Sequence, residues 1–367
     1  MSAPLDVLLL REVGAGEPGS MTRFGAMLER GLRASGRVAL VPAPVQLEPL
    51  GFQRLEPYLT RYGRFPAAAL ARRRRRGVVH VTDHSHAHLC ALTGGRRTVV
   101  TCHDLMLLWS RDGRTGDFRG RTRATVRFDL TTAFLRLAAR VVCTTEFVRS
   151  EVVAMKRVDP ARTEVVPLGV GDQFRPLPAG DCERLRAELG LRGPVVLQVS
   201  SGQPYKNDAG VLRTAARLGD GVTLVRVGPA LSPEHAALAH TLGLEGRMVQ
   251  AGVPTDRRLA ELYGVADVLL FPSHAEGFGW PPVEAMACGI PVVASDLPVL
   301  REVAGGAALH AGADDVAGLA EAVAAVLGDP ARAAELRDRG LRRAEEFNWE
   351  RTVAGYERIY ESVEAAA

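Results

Sequence analysis

Two doubly wound α/β domains are what the sequence predicts, and three observations carry that expectation. Short β-branched runs alternate with segments of helical period along the chain. The alternation restarts after the proline- and glycine-rich stretch 176–180. At 367 residues the chain is longer than one ordinary core organises and suits two.

The elements read in order as follows. An apolar run at 7–10 precedes the glycine-rich stretch 13–20 and an amphipathic segment at 21–34, whose Phe24, Met27, Leu28 and Leu32 share one helical face. Buried strands are expected at 78–81, 98–101 and 141–144. The second runs into Cys102-His103-Asp104 and the third into a helix from Glu146. The run 165–170 reads as a strand leading into the crossover between domains, and a helix follows at 182–188. In the second half, strands at 195–199, 223–227, 248–251, 268–271 and 291–294 alternate with helices at 208–218, 233–242, 255–263 and 282–288. Asp315 caps a helix at 316–327, and Asp329-Pro330 opens another at 331–346. The last helix starts after Asn348 and lines Trp349, Val353, Tyr356, Tyr360 and Val363 along one seam, which must pack on something. The divisions are 1–170, 171–347 and the terminal helix 348–367. Facing α/β domains bind ligands outside the carboxyl ends of their strands, so chemistry is sought in those loops.

Composition removes several classes. With 47% apolar and 24% charged residues the chain is a folded globular protein and not a disordered one. It opens without a signal-peptide layout and has no apolar run near the ~20 residues of a membrane span. A cytoplasmic protein is expected, with the inner membrane face as a second location. The cysteines Cys90, Cys102, Cys143, Cys182 and Cys288 are scattered and never spaced as CxxC, which argues against a disulfide framework or a zinc site. A net charge of +4 is too small to imply nucleic acid. Lys156 and Lys206 are the only lysines beside 44 arginines, so a loop lysine such as Lys206 stands out. The run Arg72 to Arg76 fits contact with an anionic membrane or acidic acceptor, and fits a solvated helix end equally well.

The stretch 274–293 carries the most chemistry. It follows the expected strand 268–271, so its loop lies at a strand's carboxyl end. Pro281 and Pro282 suit a helix's first turn, and Gly289 suits its end. Gly277 and Gly279 let backbone amides approach a ligand, and a helix N-terminus with exposed amides receives an anion such as a diphosphate. Glu276 on the loop and Glu284 in the helix are placed to accept hydrogen bonds from hydroxyls on either side of that anion.

These residues, in an EGFGxPPxEAMACGxPVVAS context, resemble the E-x7-E motif of the retaining GT-B glycosyltransferases of family GT4. Residues 200–207 (SSGQPYKN) resemble the family's donor-phosphate loop, with Lys206 at the diphosphate-contacting lysine. Residues 165–174 resemble the interdomain linker. Thr101-Cys102-His103-Asp104-Leu105 resembles the His-Asp-Leu segment whose histidine faces the transferred sugar. Gly19-Ser20 matches the first glycine-rich loop. The resemblance implies two Rossmann-like domains facing across a cleft, with the last helix crossing back to the first.

It also implies transfer of a sugar from a nucleoside-diphosphate sugar to an acceptor hydroxyl. His103, Lys206 and Glu276 are then the catalytic residues. Gly19, Ser20, Lys206, Val253, Glu276, Gly277, Phe278, Gly279 and Glu284 hold the donor. Asp83, His84 and His86 are offered for the acceptor. No cofactor is implied, since the nucleotide sugar is a substrate, and the histidine-rich run His80 to His88 is not read as a metal site. Two departures stand out: Tyr205 replaces the arginine frequent before the lysine, and Ser200 stands where some members place a second arginine. The alternatives are a GT-B sugar-nucleotide epimerase and a non-catalytic sugar-nucleotide-binding protein. A nicotinamide-dependent reductase is weighed as well, on the glycines Gly14, Gly16 and Gly19, but no acidic residue follows at a second strand end.

Overall fold

The computed structural model describes residues 4–11, 19–41, 63, 66–67, 70, 77–116, 118 and 122–367. These form two compact units. The first holds the described residues up to Leu108, those within 120–169, and Trp349–Ala367. The second holds the Trp109–Arg119 segment and Val170–Asn348.

In the first unit, β1 (Leu5–Leu10), β2 (Val38–Val41), β3 (Val78–Val81), β4 (Thr98–Cys102), β5 (Arg140–Cys143) and β6 (Thr163–Val165) form a parallel sheet ordered β2-β1-β3-β4-β5-β6. The central strands are almost wholly apolar and buried, as expected when helices cover both faces of a sheet. The helices Ser20–Ser35 and Trp349–Ala365 pack on each other and on this sheet. On the last helix the expected seam is buried at Val353, Tyr356, Tyr360 and Val363, and Trp349 is half-buried with its ring 6.1 Å from Phe24.

The second unit repeats the plan with β7 (Val195–Val199), β8 (Thr223–Val227), β9 (Met248–Gln250), β10 (Val268–Phe271), β11 (Val292–Ser295) and β12 (Ala308–Ala311). Their order is β12-β11-β10-β7-β8-β9, again parallel. Val196, Val211, Leu212, Leu224, Val268, Leu270, Val293, Leu319 and Val323 belong to one core beneath the sheet.

Connections run outward from β7 through β8 to β9, then return to β10 and run the other way. The direction of winding therefore reverses between β7 and β10, and the loops that follow these two strands splay apart there. In the first unit the same reversal falls between β1 and β3.

The sequence reading misses β2 and β12 and starts β6 two residues late. All three are short edge strands with half-exposed residues; β6 and β12 are broken by a polar residue, whereas β2, Val38-Ala39-Leu40-Val41, is a continuous apolar run that the reading passed over. The helix Thr122–Thr132 is missed as well, because its polar composition hides the helical period.

Candidate functional site

Lys206 stands after β7 and Glu276 after β10, on the two sides of the reversal point. Lys206 Nζ donates to Glu276 Oε1 at 2.6 Å, and the two side chains are only 13% and 8% exposed. Phe271, the last residue of β10, lies with its ring centre 5.0 Å from the ammonium, and the Tyr205 ring lies 5.4 Å from it. Two aromatic faces and one carboxylate thus surround the cation.

The loop that presents Lys206 is tightly specified. Pro204–Lys206 forms one 3-10 turn, and Asn207 takes the left-handed conformation (φ 57°) to cap the helix Asp208–Arg217 by accepting from Gly210 N. The Asn207 amide also donates to Pro272 O at 3.1 Å and Ala313 O at 2.8 Å. Ser200, noted as a departure, braces the turn: its hydroxyl accepts from Gly202 N and donates to Asp208 Oδ1 at 2.8 Å. Asp208 in turn takes a 2.7 Å ion pair from Arg226, which is fully buried. Arg226 is therefore a structural cation engaged with Asp208, Gln250 and Pro229 O.

The helix Trp280–Ala287 starts with Pro281 and Pro282 in its first turn, as expected, and Gly279 caps it at φ 89°. Its positive φ is what favours glycine there; a β-carbon would also press on the end of the Leu300 side chain, 2.9 Å from Cδ2. Phe278 is buried edge-on against Phe347, and Trp280 is buried beside it. Glu284 is 1% exposed, and Tyr263 Oη donates to its Oε2 at 3.0 Å. Val253 lies in the loop after β9 and is half exposed. Lys206, Glu276, Gly277, Phe278, Gly279, Glu284 and Val253 thus all belong to the second unit.

The remaining residues belong to the first unit and gather at the carboxyl ends of β1, β3 and β4. Gly19 is the N-cap of the Ser20–Ser35 helix and makes no side-chain cap bond, and Ser20 is its first residue. One turn on, Phe24 packs edge-on against His103 at 4.8 Å. His103 Nε2 is 2.9 Å from Thr82 O, which fixes the proton on Nε2 and leaves Nδ1 as an acceptor. Burial, and then His84, lower the His103 pKa, so the ring is neutral near pH 7. The His103 backbone N–H donates to His84 Nδ1 at 3.3 Å.

Asp83 caps the following 3-10 turn through Ser85 N at 2.7 Å and lies 3.7 Å from His84 and 3.8 Å from His86. Burial opposes the Asp83 carboxylate. His84, His86 and the Ser85 N–H outweigh it and hold its carboxyl below the usual range. Asp83, His84 and His86 are all nearly closed to solvent; Asp104, 4.0 Å from His84, is the more open carboxylate and was missed as a candidate. His80 is turned the other way, into the core, bridging Tyr360 Oη at 2.7 Å and Thr101 Oγ1 at 2.8 Å. Among the described residues no three His, Cys, Asp or Glu side chains are grouped to hold a metal ion, and no helix is long and apolar enough to cross a membrane. The Arg72 to Arg76 run lies outside the described residues.

Sequence reasoning also missed Tyr263 and Phe271. Neither is part of a motif; only the helical and strand periods that bury them give a signal.

Comparison with known proteins completes the picture. Residues 182–343 match the family Glycosyl transferases group 1, and residues 27–174 match Glycosyltransferase Family 4. A D-inositol 3-phosphate glycosyltransferase of Mycobacterium sp. (strain KMS) is 40% identical over 166 residues, covering 43% of this chain and 37% of that protein. D-inositol 3-phosphate glycosyltransferase 2 of Catenulispora acidiphila is 36% identical over 243 residues, covering 61% of this chain and 56% of that one. The matched region thus spans from about a third to just over half of these relatives.

Among solved structures, sucrose-phosphate synthase from Thermosynechococcus elongatus superposes with a TM-score of 0.77 at 22% identity over the whole of both chains. Anabaena HepE, solved with UDP and glucose, gives 0.78 at 20% identity over 98% of this chain and all of that one. WaaG, described as involved in lipopolysaccharide biosynthesis, gives 0.72 at 17% identity over 97% of this chain and 99% of that one. Identities this low speak to fold alone. With both halves matched, the chain belongs to the group 1 glycosyltransferases of family 4 and has the GT-B fold.

Proposed function

We propose that this chain transfers a sugar from a nucleoside-diphosphate sugar to an acceptor hydroxyl with retention of anomeric configuration. The observation that carries this reading is the Lys206–Glu276 ion pair at the reversal point of the second sheet, beside a glycine-capped helix start. A diphosphate needs a cation and backbone amides, and a sugar needs a carboxylate to accept from its hydroxyls. Lys206 and the amides of Gly277 to Gly279 neutralise the leaving diphosphate. Glu276 orients the sugar, and Glu284, held by Tyr263, accepts from the ribose.

In the transfer, the bond from the anomeric carbon to the diphosphate oxygen breaks as the bond to the acceptor oxygen forms on the same face. The acceptor proton passes to the departing diphosphate oxygen. Charge builds on that oxygen in the transition state, so catalysis is electrostatic stabilisation and positioning and needs no cofactor. Neutral His103, with Nδ1 as acceptor, suits a hydroxyl of the sugar or the acceptor, and Asp83, His84 and His86 support it on the acceptor side. Uridine nucleotides are the first donors to try, since the HepE structure holds UDP and glucose. A cyclitol or its phosphate is the first acceptor, by the names of the curated relatives.

A thermal-shift screen against UDP-, GDP-, ADP- and dTDP-sugars tests the donor site. One nucleotide should raise the melting temperature of the wild type and not of Lys206→Ala, whose turnover should fall at least tenfold. Silence with all four, or an unaffected Lys206→Ala, refutes the reading. A non-catalytic binder would show the shift without donor hydrolysis or transfer.

A further inference from the structure

The Trp109–Arg119 segment belongs to the second unit although the chain on both sides of it belongs to the first. It is a built loop. Arg114 N donates to Trp109 O at 2.8 Å, and Phe118 N to Thr115 O at 3.2 Å. Two buried hydroxyls, those of Ser110 and Thr115, both donate to Phe118 O, at 2.9 and 3.0 Å. The Arg114 guanidinium lies 5.6 Å from the Trp109 ring centre. These bonds hold the Phe118 backbone in place.

The loop also fits closely against the site. Gly116 lies on the imidazole of His274, two residues before Glu276, and a β-carbon there would overlap the ring. The Phe118 ring meets the Tyr205 ring edge-on at 5.6 Å and 82°. Tyr205 is otherwise tied to the same neighbour, since its carbonyl accepts from His274 N at 2.8 Å. Lys206 follows directly, with its ammonium 5.4 Å from the Tyr205 ring centre.

We infer that Phe118 is a positioning residue for Lys206, acting through the ring of Tyr205. A lysine side chain has four rotatable bonds and loses much entropy when held in one place. Here its backbone is fixed on one side by Tyr205 and on the other by Asn207, while the faces of Tyr205 and Phe271 confine the ammonium. Phe118 keeps the Tyr205 ring from turning away. The aromatic at 205, where the family frequently has arginine, thus exchanges a second positive charge for control of the first. This inference rests on Lys206 being the diphosphate ligand.

Two readouts test it, one independent of any nucleotide. Lys156 and Lys206 are the only lysines, so reductive methylation with 13C-formaldehyde gives a spectrum that loss of one signal in Lys206→Ala assigns. The aromatic faces should displace the Lys206 signal, and Phe118→Ala or Phe118→Leu should return it toward the free-lysine position. Tyr205→Phe, which keeps the ring, should leave it in place.

The second readout is affinity for UDP, GDP, ADP and dTDP by calorimetry, using whichever binds tightest. Phe118→Ala should weaken it about fivefold to tenfold, the worth of an aromatic pair. In a Lys206→Ala background the same change should have less than a twofold effect. An unmoved Lys206 signal, or equal weakening in both backgrounds, overturns the positioning role. If Lys206→Ala leaves affinity unchanged while the signal still moves, positioning stands and the diphosphate reading fails.

Discussion

Lys206 is paired with Glu276, so on the proposed reading a diphosphate would share that lysine with a carboxylate 2.6 Å from it. Glu276→Gln should therefore separate two properties that usually fall together. A phosphate oxygen in contact with Nζ would stand roughly 5 Å from the Glu276 carboxylate. At an effective dielectric constant of about 20, unit charges at that distance repel by about 3 kcal/mol. The partial solvent access of both groups and the shared lysine reduce this to about 1–2 kcal/mol. Removing the charge should tighten binding of the free nucleoside diphosphate by about tenfold.

Turnover should move the opposite way. The neutral amide accepts less strongly from a sugar hydroxyl and still donates where only an acceptor is wanted, so transfer should fall at least tenfold. Calorimetry with UDP and with UDP-glucose, beside a product assay, measures both directions in the same preparation. Equal or weaker UDP binding in Glu276→Gln, with the circular dichroism spectrum unchanged, would refute the idea that Glu276 and the diphosphate compete for Lys206.

Two further expectations follow from the geometry. Burial, and then the nearby His103, push the His80 pKa down to about 3, against ~6.5 unfolded. Between those values the unfolded chain takes up a proton that the folded one refuses, so stability falls by about 1.4 kcal/mol per unit as pH drops below ~6. His80→Gln should flatten the pH dependence of the urea midpoint, followed by tryptophan fluorescence, and identical slopes would remove His80 as the cause. Gly279→Ala should cost about 1–3 kcal/mol, from strain at φ 89° and overlap with Leu300, and should weaken donor binding by disturbing the start of the helix. Urea unfolding and calorimetry check both.

The central strands were legible because each is a short, near-continuous apolar run, which only a sheet covered on both faces tolerates. Val78–Val81 and Val268–Phe271 are read within a residue of their ends. The edge strand β12 was not, since His310 breaks its apolar run and most of its residues are half-exposed; β2, Val38–Val41, carries the same apolar signature as the central strands and was overlooked all the same. The motif loops were legible for a different reason. A helix that starts with Pro281-Pro282 and ends at Gly289 has few other solutions, and once it is set, Glu284 must lie inside the unit.

What escaped the sequence is the set of contacts that joins distant segments. Tyr263 reaches Glu284 from a different helix, Phe271 lies under Lys206 from the end of a strand, and Phe118 arrives from a loop 87 positions before Tyr205. None belongs to a local pattern, because the tertiary fold alone brings them together. On the proposed reading they bear on how a site with a single loop lysine would hold a diphosphate. An isolated ammonium on a flexible stem is a poor diphosphate clamp, and the family's common remedy is a neighbouring arginine. Here the remedy is confinement: aromatic faces, an αL asparagine and a braced loop limit where the charge can go. A pre-placed cation loses less entropy when the diphosphate arrives, so one well-held lysine can replace two loosely held charges.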